Sequence, residues 1–243
     1  MTADPASLGR FDGRLRASEW CVRTVDMDTL HRLVGLYHYS QGGANTATFR
    51  HGLFRAGSDK CLGVAWWIPP TKTAAHYAAT AASPRHPHGP GCDWKEVLTL
   101  SRLAIAPDVP KNAATFLMMR SVRLIRQAGD AWKCLVTYAD TWRNHTGHIY
   151  RAAGWEDFGE TAGEEVWTDQ AGRMVARKRG QITRTAGQMR ELGYVSHGRH
   201  PKIRYRLVIH SPKTKRCERP NPTDEWLRFV VGIARRTNSD FFS

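Results

Sequence analysis

The sequence predicts an α/β domain built on a mixed sheet with helices packed against it. Strand-like alternation and helical spacing of apolar residues follow one another along the chain, which is typical of this class. The central stretch, from Glu96 to Gly159, is the most regular and predicts strand, helix, strand, helix and strand in turn. The 243 residues are 41% hydrophobic and 24% charged, which is ordinary for a folded protein and argues against wholesale disorder.

The first third of the chain predicts a strand, a helix and a hairpin. Asp26 precedes apolar residues at helical spacing, so a helix is expected to begin near Met27. The segment from Pro69 to Asp93, rich in Ala, Pro and His, is predicted to be an irregular insertion, and a loop of that length is usually functional or mobile. Three strands are predicted over Glu19–Val25, Phe49–Arg55 and Cys61–Ile68, after a flexible N-terminus over Met1–Ala17.

The central third supplies the elements that are expected to position a site. A helix is predicted from Asn112 to about Gln127, and Gly129 ends it. A short helix over Thr146–Ala153 stops at Gly154, and the two strands after it are expected to form a hairpin. The predicted strands of this part are Glu96–Ile105, Trp132–Ala139, Trp155–Gly159 and Glu165–Thr168.

The last third changes in character. A helix is predicted over Ile182–Leu192 and a basic strand over Arg199–Ile209. A proline-containing linker, Ser211–Thr223, then leads to a short amphipathic helix around Trp226. We therefore expect one domain over residues 18–209, followed by a basic linker and helix over 210–243.

Charge is concentrated at the C-terminal end of the chain. The formal net charge is +14, and residues 170–243 hold 17 basic and 5 acidic residues. This asymmetry favours a polyanionic partner, most simply nucleic acid, over an ordinary solvated basic surface or a membrane. No apolar run is long enough to cross a membrane and no secretory signal begins the chain, and the five scattered cysteines indicate a reducing compartment, so we expect a cytoplasmic protein.

A cluster of acid–base residues follows the second central strand. Asp140 ends that strand, the next loop supplies His145 and His148, and the next helix supplies Tyr150. Ligands gather at the carboxyl ends of strands in open α/β sheets, so this cluster is a candidate acid–base site. Three structural readings remain open: Asp140 as a helix cap, Tyr150 as a core aromatic and the histidines as surface residues.

The order of these elements resembles the GNAT acyltransferase fold. In that fold a helix carrying a tyrosine precedes a glycine and an aromatic residue, as Tyr150, Gly154 and Trp155 do here. The resemblance implies a mixed, mostly antiparallel central sheet flanked by helices. The stretch from Ala106 to Ala114, at the position of the GNAT pyrophosphate loop, contains no glycine, but Lys111 and free amides at the helix start can still hold an anion.

A narrower resemblance, to the phage Mom family of DNA-modification proteins, covers about residues 36–208. It is carried, in chain order, by Tyr37-His38-Tyr39-Ser40, Ser101-Arg102-Leu103, Lys111-Asn112-Ala113-Ala114, Tyr138-Ala139-Asp140, His145-Thr146-Gly147-His148-Ile149-Tyr150, Trp155 and Pro201-Lys202-Ile203-Arg204-Tyr205. The resemblance implies an enzyme that adds a carbamoylmethyl-like, glycinamide-like group to N6 of adenine in DNA. Such a modification protects phage DNA from restriction.

Chemistry at an adenine amino group suggests roles for these residues. Asp140 is the expected base and Tyr150 the expected donor to the electrophile. His38 could assist either or bind a metal, and Ser101 could orient donor or base. Aromatic rings such as Tyr39, Trp66, Trp67 and Trp142 could hold an adenine that has left the DNA stack. The substrate-binding residues are expected to be Tyr39, Arg102, Lys111, Asn112 and His145.

A row of basic residues on the last predicted strand is expected to contact DNA. Side chains alternate faces along a strand, so Lys202, Arg204 and Arg206 share one face, which we expect to point outward along a phosphate backbone. Arg199 and Arg184 are expected to contribute to the same double-stranded DNA surface.

The donor, the metal and the oligomeric state stay open at this stage. The donor could be an acyl-CoA or an aminoacyl donor such as glycyl-tRNA, which would make tRNA a further partner. A catalytic iron or zinc at His38, or a zinc at His86 and His88, is a weaker possibility. Two other functions remain: a GNAT acyltransferase acting on a small molecule, tRNA or protein, and a non-catalytic nucleic-acid-binding protein on a transferase fold.

Overall fold

Five α-helices and eleven strands make up the part of the chain that the computed structural model describes, residues 13–179 and 181–209. The helices are α1 (Met27–Tyr37), α2 (Lys72–Thr80), α3 (Ala113–Gln127), α4 (His148–Ala152) and α5 (Ala186–Glu191). The first six strands are β1 (Trp20–Thr24), β2 (Phe49–Arg55), β3 (Cys61–Ile68), β4 (Val97–Ile105), β5 (Cys134–Asp140) and β6 (Glu156–Glu160). The others are β7 (Glu164–Thr168), β8 (Lys178–Arg179), β9 (Ile182–Thr183), β10 (Val195–His200) and β11 (Lys202–Val208).

The central sheet has seven strands in the order β1-β2-β3-β4-β5-β11-β6. All neighbours in it run antiparallel except β4 and β5, which are parallel. This mixed, mostly antiparallel sheet with flanking helices confirms the predicted fold class.

Strands β4 and β5 pair over only three residues each. The register runs from Val97 opposite Cys134 to Thr99 opposite Val136, and no further pair joins the two strands. Beyond this point the hydroxyl of Thr137 donates to the carbonyl of Leu100 at 3.2 Å, which replaces a ladder hydrogen bond. The carboxyl-terminal halves of the two strands therefore separate and leave an opening in the sheet.

Helices α1 and α3 cover opposite faces of the sheet. Trp66 and Trp67 are neighbours on β3, so their side chains point to opposite faces, and both are fully buried. Trp66 packs in a cluster with Leu30 and Leu33 of α1, whereas Trp67 packs in a cluster with Leu117 of α3. The sheet is thus buried on both sides, which explains the nearly continuous apolar sequence of β3.

The segment predicted to be an irregular insertion contains helix α2. Thr71 caps this helix by accepting a hydrogen bond from the amide of Ala74. At its other end, the guanidinium of Arg206 donates to the carbonyls of Ala78 and Ala81 at 2.9 and 2.8 Å. Small residues let α2 lie close to the sheet, and their weak apolar pattern hid the helix from sequence reasoning.

The end of the domain differs from the predicted hairpin. Strands β6 and β7 do not pair with each other: β6 is the edge strand of the central sheet next to β11, and β7 pairs with β10 in a separate sheet. The predicted strand Arg199–Ile209 is divided at Pro201 into β10 and β11, because proline cannot donate to a ladder.

The predicted start of the domain at residue 18 can be compared with the structure. Leu15, placed in the flexible N-terminus by sequence, is buried in the core, and its amide donates to Oδ1 of Asn112 at 2.7 Å. The expected linker and helix over residues 210–243 lie outside the described residues. In the described part of the chain, no helix has the length and apolar character that a membrane crossing requires.

Candidate functional site

A cleft of about 1130 Å³ opens where β4 and β5 separate. One wall is formed by the separating strands, with Leu100 and Arg102 from β4 and Tyr138 from β5. The other walls come from the end of α1, from α2 and from the loop that leads into α4. Of the residues that the sequence singled out, the cleft is lined by His38, Tyr39, Ser101, Arg102, His145, His148, Tyr150, Lys202 and Arg204.

Asp140 and Tyr39 form the pair at the centre of this site. Asp140 is 4% exposed, caps the short helix after β5 by accepting from the Trp142 amide at 3.1 Å, and acts electrostatically on the Tyr39 hydroxyl. Burial and this carboxylate raise the pKa of Tyr39 to about 12. Tyr39 lines the cleft and Asp140 does not, so the carboxylate reaches a bound substrate through the phenol.

His38 supports Tyr39 from the side. The two rings stack with centroids 4.4 Å apart, and burial lowers the pKa of His38 to about 4, with Arg102 and His145 adding to the effect. Nδ1 accepts from the Ser40 amide at 3.2 Å, so the proton of the neutral ring is on Nε2. The predicted role as a base is therefore disfavoured in this arrangement, because the free nitrogen is a donor.

Arg102 brings a positive charge into the cleft. Its guanidinium donates to the carbonyls of Gly42 and Ser101 at 2.9 and 2.7 Å, and to the Ser101 hydroxyl at 3.3 Å. No carboxylate pairs with it in the described ranges, and burial lowers its pKa from the ordinary value while Tyr39 opposes the shift. Ser101 therefore helps to orient Arg102, which differs from its predicted role beside donor or base.

Tyr150 lies at the point where the strands separate. Its ring packs against Trp155 and Tyr205 with centroids 5.9 and 5.2 Å away. Burial raises the pKa of Tyr150. Both interpretations of Tyr150 from the sequence, a core aromatic and a residue of the acid–base site, are therefore compatible with its position, because its ring packs against the core and the residue lines the cleft.

A glycine holds the loop between these residues in place. Gly147 has φ +68°, and a Cβ there would lie 2.1 Å from the ring of Tyr205. The Tyr205 hydroxyl donates to the carbonyl of Thr146 at 2.9 Å. This close approach fixes the loop that carries His145, whose ring meets that of Tyr39 edge-on at 5.6 Å.

Two predicted substrate-binding residues lie outside the cleft. Lys111 is exposed, and Asn112 uses its side-chain oxygen to hold the amide of Leu15, so neither lines the cleft. Nearby, the amides of Ala114 and Thr115 at the start of α3 have no acceptor among the described residues, and Ala114 does line the cleft. The start of α3 therefore fits a phosphate group without a glycine-rich loop.

The expected outward row of basic residues is wrong at Arg206. Arg206 is completely buried and forms an ion pair with Glu156, with Nε 2.7 Å from Oε1. The face of β11 that carries it is covered by α2, so it cannot track a phosphate backbone. Lys202 and Arg204 share this face but line the cleft; Lys202 is 3.3 Å from Glu164, and Arg204 lies over the ring of Tyr77.

The other two predicted DNA-contacting residues lie in the basic segment, which we define as residues 170–200. Arg199 is exposed and donates to the carbonyl of Gly163, and Arg184 is half-buried. Seven of the residues in this segment are Arg or Lys and one is acidic, and among the described side chains only Arg173 has a carboxylate partner, Asp169.

Metal ligands do not converge in the described part of the chain. No group of three or more His, Cys, Asp or Glu side chains there could hold an ion. His86, one of the two histidines predicted as a chelate, instead has Nε2 3.7 Å from Oε1 of Glu156.

Some residues of the site were missed by sequence reasoning. Tyr77 of α2 and Thr137 of β5 line the cleft, and Arg143 contacts Tyr39 at its rim. Of these three residues, only Arg143 could have been found from the sequence, because it lies beside the Tyr-Ala-Asp and His-Thr-Gly motifs. The fold brings Tyr77 to the site through the insertion, and no pattern in the sequence shows this.

Solved structures are similar to this chain. NAA60 of Arabidopsis thaliana in complex with acetyl-CoA matches with a TM-score of 0.50 at 8% identity, over 78% of this chain and 99% of that one. Two other matches have TM-scores of 0.46 and 0.43, each at 12% identity: spermidine N-acetyltransferase from Vibrio cholerae in complex with CoA and spermine, and the ribosomal-protein-S18-alanine N-acetyltransferase from Escherichia coli. They cover 79% and 78% of this chain and 96% and 94% of their own.

The match to NAA60 and the strand order show that the central sheet of this chain has the GNAT-like arrangement. No curated protein matches the chain by sequence. The model of the Mom protein family matches residues 19–219, which include every motif from which the resemblance was inferred. The chain belongs to the Mom protein family.

Proposed function

We propose that this chain is a transferase that modifies adenine in double-stranded DNA at the exocyclic N6, adding a carbamoylmethyl-like group. Family membership supports DNA as the substrate, and the basic segment suits a phosphate backbone. The observation that carries the proposal is the Tyr39 hydroxyl in the cleft, backed by the buried Asp140 carboxylate. The action belongs in the bacterial cytoplasm, where such a modification protects phage DNA from restriction.

The Tyr39–Asp140 pair suits the difficulty of the nucleophile. The N6 lone pair is delocalised into the adenine ring, so a proton acceptor is needed as the nitrogen forms its new bond. With a pKa of about 12, the Tyr39 phenol is protonated at neutral pH. Its oxygen accepts the N6 proton as its own proton passes to Asp140, so both groups take part in one transfer.

Tyr150 and Arg102 suit the other half of the reaction. Burial keeps Tyr150 protonated, and its hydroxyl donates toward the electrophile. Arg102 remains charged, since guanidinium groups do not lose their proton in proteins, and it stabilises developing negative charge in the cleft. The two groups stand on either side of the opening between β4 and β5.

The cleft has room for an adenine that has left the DNA stack together with the reacting end of a donor. The stacked rings of His38 and Tyr39 offer a surface for the base. The start of α3 would hold a phosphate of the donor through the amides of Ala114 and Thr115. The expected donors are an acyl-CoA or an aminoacyl donor such as glycyl-tRNA. Attack of N6 on the carbonyl carbon of glycyl-tRNA would form an N6-glycyl group, an isomer of the carbamoylmethyl group, and release the tRNA hydroxyl.

Mass spectrometry of nucleosides tests this proposal. DNA from bacteria that express the chain should contain an adenosine of increased mass, and DNA from cells with Asp140→Asn or Tyr39→Phe should not. An unmodified adenine pool with the wild-type chain would overturn it. If tRNA, protein or a small amine were acylated instead, the second reading, a GNAT acyltransferase on another substrate, would replace it.

A further inference from the structure

We infer that Arg143 is the phosphate-binding residue at the rim of the cleft, and that it holds a phosphodiester of the strand that carries the target base. This inference rests on the proposed function, whose site it extends. Arg143 lies in the short helix after β5, between Asp140 and the His145 loop, and does not itself line the cleft.

The Arg143 guanidinium is held between two aromatic rings. Its Cζ lies 4.3 Å from the centre of the Trp142 ring and 5.5 Å from the centre of the Tyr39 ring. On its far side, the Trp142 ring is supported by His197 at 5.4 Å. Stacking against rings restricts a guanidinium to one plane and leaves its hydrogen-bonding edge available.

None of the five N–H donors of Arg143 has an acceptor in the part of the chain that the structure describes, and its Nε is buried without a partner. Arg102, on the other side of Tyr39, donates to two carbonyls and a hydroxyl. Burying part of a cation that has no anionic partner costs free energy, and a bound anionic ligand offsets that cost. Arg143 therefore has the free donors that an anionic substrate group requires.

The neighbouring carboxylate does not fill this role. Asp140 is three residues away, but it accepts from the Trp142 amide, and no ion pair joins it to Arg143 in the described ranges. The loop is also fixed: Asn144, with φ +58°, ends the short helix directly after Arg143. The guanidinium is thus placed before any ligand arrives.

Charge around Arg143 favours a phosphate. The contact between Trp142 and His197 connects the rim to the basic segment, which carries a large excess of positive residues. The planar fork of a guanidinium matches two phosphate oxygens. Because Arg143 touches the same Tyr39 ring that faces the cleft, a phosphate there would belong to the nucleotide at the target position or next to it.

The test uses the full chain, the variants Arg143→Gln and Arg143→Lys, and an adenine-containing duplex. For Arg143→Gln we expect DNA affinity to fall about tenfold to a hundredfold. We expect the slope of log affinity against log salt to fall by about one. Arg143→Lys should keep the slope and lose part of the affinity, because an ammonium is charged but not forked.

The matched control is Arg120→Gln on α3, which also removes a guanidinium that lies near a ring, 5.3 Å from that of Phe116. It should bind DNA as the wild type does. A further arm replaces single phosphates beside the adenine with uncharged methylphosphonate. One position should weaken wild-type binding and leave Arg143→Gln unaffected, and this arm does not depend on how well the variant folds.

Coenzyme A separates the two possible sources of the phosphate. If Arg143→Gln weakens coenzyme A binding and leaves DNA binding intact, Arg143 is the phosphate receptor but the phosphate belongs to the donor. If neither ligand is affected and no methylphosphonate position couples to Arg143, the inference is overturned. Failure of the proposed function is seen separately, as an absence of modified adenine with the wild-type chain.

Discussion

The two ends of strand β11 hold buried charges in opposite ways. Near its carboxyl end, Arg206 and Glu156 form an ion pair, and the other hydrogen bonds of the guanidinium among the described residues go to α2 or to the turn after it, including the Ser83 hydroxyl at 2.8 Å. At the other end of β11, Asp140 lies opposite Lys202 in the sheet, has no ion pair with any described residue, and lies near the Tyr39 phenol, which lines the cleft. A buried charged side chain with a complete set of partners indicates a structural role. A buried charged side chain with an incomplete set of partners, next to a cavity, indicates a catalytic role.

The largest expected effect is the loss of activity in Asp140→Asn. The amide has almost the same volume and can still accept from the Trp142 amide, but it cannot take a proton from Tyr39. Modification should therefore fall by about a hundredfold to ten-thousandfold. The measurement is the rate of adenine modification beside a thermal melt of the same preparation.

Asp93→Asn is the matched control for Asp140. Asp93 also caps a short helix, accepting from the Lys95 amide at 2.8 Å, and lies outside the cleft. Both changes should cost at most about 1 kcal/mol of stability. If Asp140→Asn kept normal activity, the carboxylate would be a cap like Asp93 and the comparison between the two ends of β11 would fail.

At the other end of β11, Arg206→Met should act on stability. Removing the guanidinium leaves Glu156 buried without its cation and releases the end of α2, which should cost about 3–5 kcal/mol. Chemical denaturation measures this directly. A variant that melted like the wild type but bound DNA weakly would restore Arg206 to the DNA-contacting role that its sequence position suggested.

The contrast between these two arginines shows what sequence could and could not predict. Alternation along β11 correctly placed Lys202, Arg204 and Arg206 on one face. Which face of β11 is covered depends on α2. This helix lies more than a hundred residues earlier in the chain, and its alanines give no clear apolar periodicity. Local patterns therefore predicted all seven strands of the central sheet, but not β8, β9 and most of β10, nor what packs on the sheet.

The site shows the same division. Asp140 and Tyr150 could be predicted because both follow from the end of one strand and the helix after it. The pairing of Asp140 with Tyr39 could not, because it joins the end of α1 to the end of β5 across the sheet. Asn112 was misjudged for the same reason, since its partner Leu15 is distant in sequence.

Tyr150→Phe should have a smaller effect than Asp140→Asn. The ring keeps its contacts with Trp155, so stability should change little, and loss of the donating hydroxyl should slow turnover by roughly a hundredfold. Tyr205→Phe is the control, because the Tyr205 hydroxyl bonds the Thr146 carbonyl and faces no substrate. It should cost about 1 kcal/mol of stability and leave turnover near normal. Equal rates for the two variants would make Tyr150 a core aromatic.

The smallest expected effect is on the salt dependence of DNA binding. It tests the finding that Arg206 is buried and does not contact a phosphate backbone. Because Arg206 is buried, the phosphate contacts of the C-terminal part should come from the basic segment. Replacing Arg184 and Arg199 together by Gln should lower the slope of log affinity against log salt by roughly 1–2 units, because each lost contact no longer releases a counterion. Replacing Arg120 and Arg123 on α3 by Gln removes the same net charge from another surface and should leave the slope unchanged. Equal slopes for the two double variants would mean that net charge, and not the basic segment, governs binding.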